Sequence, residues 1–317
     1  MTPTAAMQSD VFRTYLLLVG SVLAVAGVMI AVLKWVLKKQ VGSIWLTYRS
    51  WLVMSPLLLG AVFAGRVWWI VFVCLVAGFG VKEFARATGL YRDWWMTGTA
   101  YLGIVAVGLT SLLAQPQAEE AGTGWFGLFI VLPVYAVAVI LLIPIVRNRV
   151  EGQLQSISLT LMAFLYIGWM FGHLAFLANS ANAYGYLLYV LFATELNDVA
   201  AFACGKLFGR RPFRSKISPK KTWGGAAGAL AVSMALPWLL RFSFPHFGTT
   251  QLILTGLIVG IGGQLGDLAI SVIKRDIGVK DMGAGIPGHG GILDRIDSLI
   301  YVAPLFFHMT AYFYELK

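Results

Sequence analysis

The 317-residue chain has little charge: Asp, Glu, Lys and Arg make up 12% of it, while 59% of residues are hydrophobic. A soluble domain carries about 25% charged residues, so a soluble globular domain is excluded. Cysteine is nearly absent. Cys74 and Cys204 sit in or beside apolar runs, which excludes a disulfide framework and a Cys-based metal signature. Histidine is scarce too, at four residues, and no His/Cys grouping has the spacing of a zinc site. A cleavable signal pattern is lacking, because the first apolar run is followed by Lys34, Lys38 and Lys39 and not by small residues. No internal repeat stands out, and no polar stretch is long enough to fold as a separate soluble domain. Acids are outnumbered 14 to 24 by Lys and Arg. In a soluble chain that excess would point to nucleic acid; in a membrane chain it reflects basic inner loops and anionic headgroups, and no nucleic-acid partner is expected.

What is present is a series of apolar runs of spanning length, about 17–25 residues each. They lie near 14–37, 95–114, 125–146, 156–177, 183–203, 223–240, 250–273 and 296–314. A longer run, 51–81, is interrupted at Gly65-Arg66 and flanked by cations on both sides. It must cross an even number of times, so it reads as two short spans, 51–64 and 67–81. The expected fold is all-α: a polytopic helical bundle of about ten spans. Of the 24 Lys and Arg, 20 fall in alternate loops, which would therefore be cytoplasmic, with both termini on the other side. Residues 1–150 read as a transmembrane scaffold. Residues 151–317 read as the catalytic region, with cytoplasmic loops 204–222 and 274–295.

Three polar blocks stand out in the second half. Glu195 and Asp198, three apart, share a helix face beside Asn197. The loop from Lys206 to Lys221 holds seven cations and no acid, and ends in Ser218-Pro219-Lys220-Lys221-Thr222-Trp223-Gly224-Gly225. A hydroxyl, two lysines and a glycine pair at a helix start suit phosphate. The third block, Ser271 to Asp297, alternates cations and carboxylates around a Gly- and Pro-rich centre that no helix would tolerate. Such a loop is ordinarily a solvated face with surface ion pairs, but the flanking helices argue otherwise here. Asp267, Ser271 and Lys274 line one helix face. Asp267 lies inside an apolar span, where an unpaired carboxylate is costly. Asp294 and Asp297 open the last span. Asp267 and Asp294 thus bracket the loop from two helices and would converge on Mg²⁺, with Asp297 beside them. His289 would either donate to a phosphate, relay a proton or bond the loop backbone.

These residues resemble the phosphatidate cytidylyltransferase family, the CDP-diacylglycerol synthases. The resemblance rests on Ser271, Lys274-Arg275, Lys280-Asp281, Gly283, Ile286-Pro287, His289-Gly290-Gly291 and Asp294-Arg295 followed by Asp297, with Asn197-Asp198 and Ser218-Pro219-Lys220-Lys221-Thr222-Trp223 upstream. It covers residues 190–300 well. It implies an inner-membrane homodimer that transfers CMP from CTP to phosphatidate at a cytoplasm-facing site, using Mg²⁺ with K⁺ as a second ion near Asp267 and Asp294. On that reading Asp267, Asp294, Lys274, Arg275, Lys280, Asp281, His289 and Arg295 are catalytic. Ser218, Lys220, Lys221, Asn197, Asp198, Ser271, Gly290 and Gly291 bind substrate. Three positions depart from the family pattern: Phe202 replaces a Tyr, Gly224 a Glu and Ile270 an acid. Those departures keep open a different lipid acceptor, or CTP-dependent phosphorylation of a lipid alcohol. A transporter is the reading from another class.

Overall fold

The computed structural model describes residues 1–38, 40–114, 122–283, 285–286 and 290–314. A short amino-terminal helix, α1 (Pro3–Gln8), is followed by α2 (Asp10–Val36), α3 (Gly42–Ala64), α4 (Arg66–Thr88), α5 (Trp94–Leu113), α6 (Gly124–Val146), α7 (Gln153–Leu177) and α8 (Ala183–Phe208). A hairpin of β1 (Pro212–Arg214) and β2 (Ser218–Thr222) then leads into α9 (Trp223–Leu239), α10 (Thr249–Asp276) and α11 (Leu293–Tyr314). Among the described residues nine helices are long and apolar enough to cross a membrane. The tenth apolar run forms α9, whose 17 residues rise about 25 Å, somewhat less than a hydrocarbon core. The chain is a multi-pass membrane bundle.

The region 51–81 corrects one expectation. Its two helices are not short: α3 and α4 have 23 residues each. They gain length by running into their polar flanks, so that Arg49, Lys82, Glu83 and Arg86 are helical. The break is Gly65, at φ 104°, a conformation that favours glycine. There the Arg66 guanidinium donates to the carbonyls of Ser111, Leu112 and Ala114, which α5 leaves open at its end.

Burial separates centre from rim. α7 and α11 are mostly buried and α2 hardly at all, so α7 and α11 are central and α2 lies at the rim. The core between them is aromatic: Phe129, Trp169, His173, Phe176 and Phe307 pack ring against ring. Trp69 on α4, 1% exposed, donates its indole N–H to the Leu174 carbonyl at 2.8 Å, tying α4 to α7. Glycine sets two close helix approaches. On α10, a Cβ at Gly266 would lie 2.9 Å from the Ser298 Cα of α11. On α9, a Cβ at Gly225 would lie 2.5 Å from the Ala201 carbonyl oxygen of α8. Only glycine permits these spacings, and both bring polar residues of neighbouring helices together.

Candidate active site

A charged cavity of about 340 Å³ opens where α8, β2, α10 and α11 meet. From α8 come Glu195 and Asp198; from β2, Ser218, Lys220 and Lys221; from α10, Asp267 and Lys274. Asp294, Arg295 and Asp297 enter from α11, and Asp281 from the loop before it. Residues up to 102 positions apart, from Glu195 to Asp297, thus share one wall. The antiparallel hairpin pairs Pro212 with Thr222 and Arg214 with Ser218. This small sheet within the 204–222 loop adds to the all-helical expectation and holds Lys220 and Lys221 at the cavity. The Thr222 hydroxyl caps α9 by accepting from Gly225 N at 3.1 Å. Gly224 has no room for the Glu that the resemblance leads one to expect, since a Cβ there would sit 2.8 Å from the Phe208 carbonyl oxygen.

Two ion pairs cross the cavity. Lys221 Nζ lies 2.7 Å from Asp267 Oδ2, and Lys274 Nζ 2.8 Å from Asp294 Oδ1. The Ser271 hydroxyl donates to Asp267 Oδ1 at 3.2 Å. Ser298 joins two further acids, its N–H donating to Asp297 Oδ1 at 2.8 Å and its hydroxyl to Asp198 Oδ2 at 3.2 Å. Asp198, Asp267 and Asp297 lie within electrostatic reach of one another. Six carboxylates face four cations along the lining, a formal excess of two negative charges when all are ionised. Arg295 also lines the cavity, and its Nε is buried with no hydrogen-bond partner.

The Asp294 carboxylate is occupied by the protein itself. Oδ2 accepts from Met282 N at 3.0 Å and Gly291 N at 2.9 Å, Oδ1 takes Lys274, and the side chain is only 4% exposed. It closes the Gly loop like a clasp. Gly290 adopts φ 81°, and its carbonyl accepts from Ile286 N at 2.8 Å.

Other predicted site residues are placed elsewhere. Asn197 is fully buried away from the cavity, its Oδ1 accepting from the Ser233 hydroxyl at 3.1 Å. Arg275 donates to the carbonyls of Ile217 and Val279, fastening the hairpin to α10. Lys280 is exposed and is not part of the lining. His289 lies outside the described residues. His173, His246 and His308 are absent from the lining; His173 and His308 bond each other at 3.3 Å.

Sequence reasoning missed Glu83. Its Oε1 accepts from Ile292 N at 3.0 Å and its Oε2 from Leu293 N at 2.9 Å, so α4 holds the start of α11. The signal was a carboxylate continuing an apolar helix, between Val81 and Phe84, at a position that hydropathy alone counts as the loop after the span. Glu195 was noticed for its spacing from Asp198, but its place was not foreseen. It lines both the charged cavity and an apolar groove of about 310 Å³ between α2, α3 and α8.

Residues 45–313 match the sequence model of the cytidylyltransferase family. The chain belongs to that family. Among its relatives, an uncharacterized Escherichia coli K12 protein, YnbB, is 33% identical over 282 residues, which cover 87% of this chain and 90% of YnbB. The phosphatidate cytidylyltransferase of Staphylococcus aureus strain COL is 36% identical over 204 residues, 64% of this chain and 76% of that enzyme. That of Staphylococcus haemolyticus is 38% identical over 172 residues, 54% of this chain and 65% of that enzyme. The family match takes in α4 and Glu83 as well as every element of the charged cavity.

Proposed function

We propose that this member of the cytidylyltransferase family transfers CMP from CTP to phosphatidate, giving CDP-diacylglycerol and pyrophosphate. The observation that carries the reading is Glu195, shared by a charged cavity and an apolar groove. A substrate that fits both is an amphiphile with a polar head, and Lys220, Lys221, Lys274 and Arg295 suit an anionic one. A lipid phosphate meets that requirement, its head among the lysines and an acyl chain against Leu188, Leu191 and Leu196. The relatives named phosphatidate cytidylyltransferase support the same acceptor. The positive-inside pattern of the loops supports a cavity open to the cytoplasm in a bacterial inner membrane.

The reaction needs little from a base. A phosphate monoester has a second pKa near 6 by analogy with phosphoserine, so its oxygen is a ready nucleophile at neutral pH. That oxygen forms a bond to the α-phosphorus of CTP, and the bond from the α-phosphorus to the α–β bridging oxygen breaks, with the electron pair leaving on pyrophosphate. The difficulty is the approach of two anions. Lys220, Lys221 and Ser218 on β2 are suited to hold the lipid phosphate, and Arg295, with its unpartnered Nε, a nucleotide phosphate oxygen.

The donor set fits Mg²⁺. Asp267 and Asp297, with Asp198 beside them, are hard oxygen ligands, and the cavity's formal excess is two negative charges. Among the described residues no three acids are placed to enclose an ion by themselves. Water and phosphate oxygens would have to complete the ion's shell. When bound, Mg²⁺ offsets the charge that develops on the departing pyrophosphate. Asp294 is assigned to the loop in this reading and not to the ion.

The test is purified protein in phosphatidate-containing micelles with CTP labelled at either phosphate. Label from the α-phosphate should enter the lipid, chelation by EDTA should stop it, and Asp267→Asn should lose it. Entry of the γ-phosphate label would replace the reading with a lipid kinase. Neither label entering any lipid phosphate would end it.

A further inference from the structure

The glycines of the loop before α11 raise a question that backbone conformation does not answer. Gly290 adopts left-handed backbone, but Gly283, Gly285 and Gly291 do not. What excludes a side chain at Gly283 and Gly291 is the Glu83 carboxylate, which a side chain at Gly285 would only touch. A Cβ at Gly283 would lie 2.5 Å from Glu83 Oε1, and one at Gly285 would lie 3.4 Å from the same oxygen. A Cβ at Gly291 would overlap Oε2 and sit 2.8 Å from Gly283 N. Gly283 and Gly291 close on an acid from a helix more than 200 residues earlier, Glu83 and Ile292 being 209 positions apart.

The hydrogen bonds explain why that acid is there. The first amides of a helix have no intrahelical acceptor, and its amino end favours negative charge. Three consecutive N–H groups at the start of α11 are divided between two carboxylates: Gly291 donates to Asp294, and Ile292 and Leu293 donate to Glu83. The residues that follow at once, Asp294, Arg295 and Asp297, line the cavity. Their directions depend on how this turn is seated.

We propose that Glu83 is a positioning residue: its bidentate grip on Ile292 N and Leu293 N seats the first turn of α11 and so aims Arg295 and Asp297 into the cavity, with Gly283 and Gly291 left bare to admit it. The effect on turnover rests on the reaction proposed above; the grip itself does not. A carboxylate is needed because it offers two acceptors. The amide of Glu83→Gln keeps one and turns a donor toward the other N–H.

The full-length protein in lipid micelles tests this with two readouts, steady-state CMP transfer and hydrogen exchange of the 290–296 amides. Glu83→Gln should lower kcat about ten- to a hundredfold, the worth of one charge-assisted hydrogen bond. Its KM for CTP should rise as well, because the same turn aims Arg295, the proposed holder of a nucleotide phosphate oxygen. Exchange at Ile292 and Leu293 should quicken by a similar factor. Gly283→Ala should reproduce both effects by pushing the carboxylate aside. In a Glu83→Ala background, where the space is vacated, Gly283→Ala should change nothing further. Glu151→Gln, on an exposed turn, should match wild type throughout. Wild-type kcat and exchange in both Glu83→Gln and Gly283→Ala would overturn the proposal. So would losses from Glu83→Ala and Gly283→Ala that simply multiply. A wild-type protein that transfers no CMP would instead overturn the reaction, and the exchange of Glu83→Gln and Gly283→Ala would then decide the grip alone.

Discussion

Asp294→Asn separates two roles that this residue could have. The substitution keeps the shape of the side chain and removes its charge. In the folded protein the carboxylate accepts from Lys274 Nζ at 2.8 Å, Met282 N at 3.0 Å and Gly291 N at 2.9 Å. An amide accepts through its oxygen alone. If that oxygen keeps the two loop amides, its NH₂ group faces the Lys274 ammonium, and a cation with an 11% exposed side chain loses its counter-charge. Removing one partner of a buried pair costs roughly 3–5 kcal/mol. Lys274 borders the cavity, where water and other carboxylates relieve part of that cost, so the lower end is expected: about 3 kcal/mol. Adding Lys274→Met removes the stranded cation and should recover more than about half of the loss. Reversible unfolding in mixed micelles, followed by the fluorescence of the 11 tryptophans, measures both variants. A residue that served only a metal ion would behave differently, losing turnover at unchanged stability. Asp294→Asn unfolding within about 0.5 kcal/mol of wild type would therefore refute the clasp.

Lys221→Gln breaks the 2.7 Å pair with Asp267, whose side chains are 18% and 30% exposed. Stability should fall by less than about 1 kcal/mol, while KM for the lipid phosphate should rise about tenfold through the lost charge-assisted contact; an unchanged KM would remove β2 from the site. Trp69→Phe leaves the Leu174 carbonyl without its indole donor and should cost about 1–3 kcal/mol in the same unfolding assay. Because Trp69 is no part of the cavity lining, kcat per folded molecule should not move, and a drop in kcat at full stability would contradict that separation of core from site.

The bundle was legible in the sequence because lipid imposes a one-dimensional rule. A spanning helix must satisfy its own backbone and present about 20 apolar residues, and that signature survives without knowledge of neighbours. Even so, the helices around Gly65 came out longer than hydropathy indicates, since Arg49, Lys82 and Glu83 extend them with side chains that a hydropathy window counts as loop. The acids at 267, 294 and 297 were legible for a related reason: a carboxylate in or beside an apolar span is expensive unless something compensates it.

What the sequence could not assign was the partner of each acid. Asp267 and Asp294 read alike as candidate ligands of one ion, yet Asp267 meets Lys221 from the hairpin while Asp294 is taken up by Lys274 and two loop amides. Asn197 and Asp198 are adjacent, but the rotation of about 100° between neighbours on a helix sends the first into the packing of α8 against α9 and the second into the cavity. The partners of Glu83 were not legible, because only the folded bundle brings α4 to the start of α11. Composition and spacing alone determined that this is a membrane bundle with a cluster of charge in its second half. Which carboxylates hold the loop and which face the substrate was decided by tertiary structure, because a hydrogen bond depends on distance and direction between helices, and hydropathy records neither.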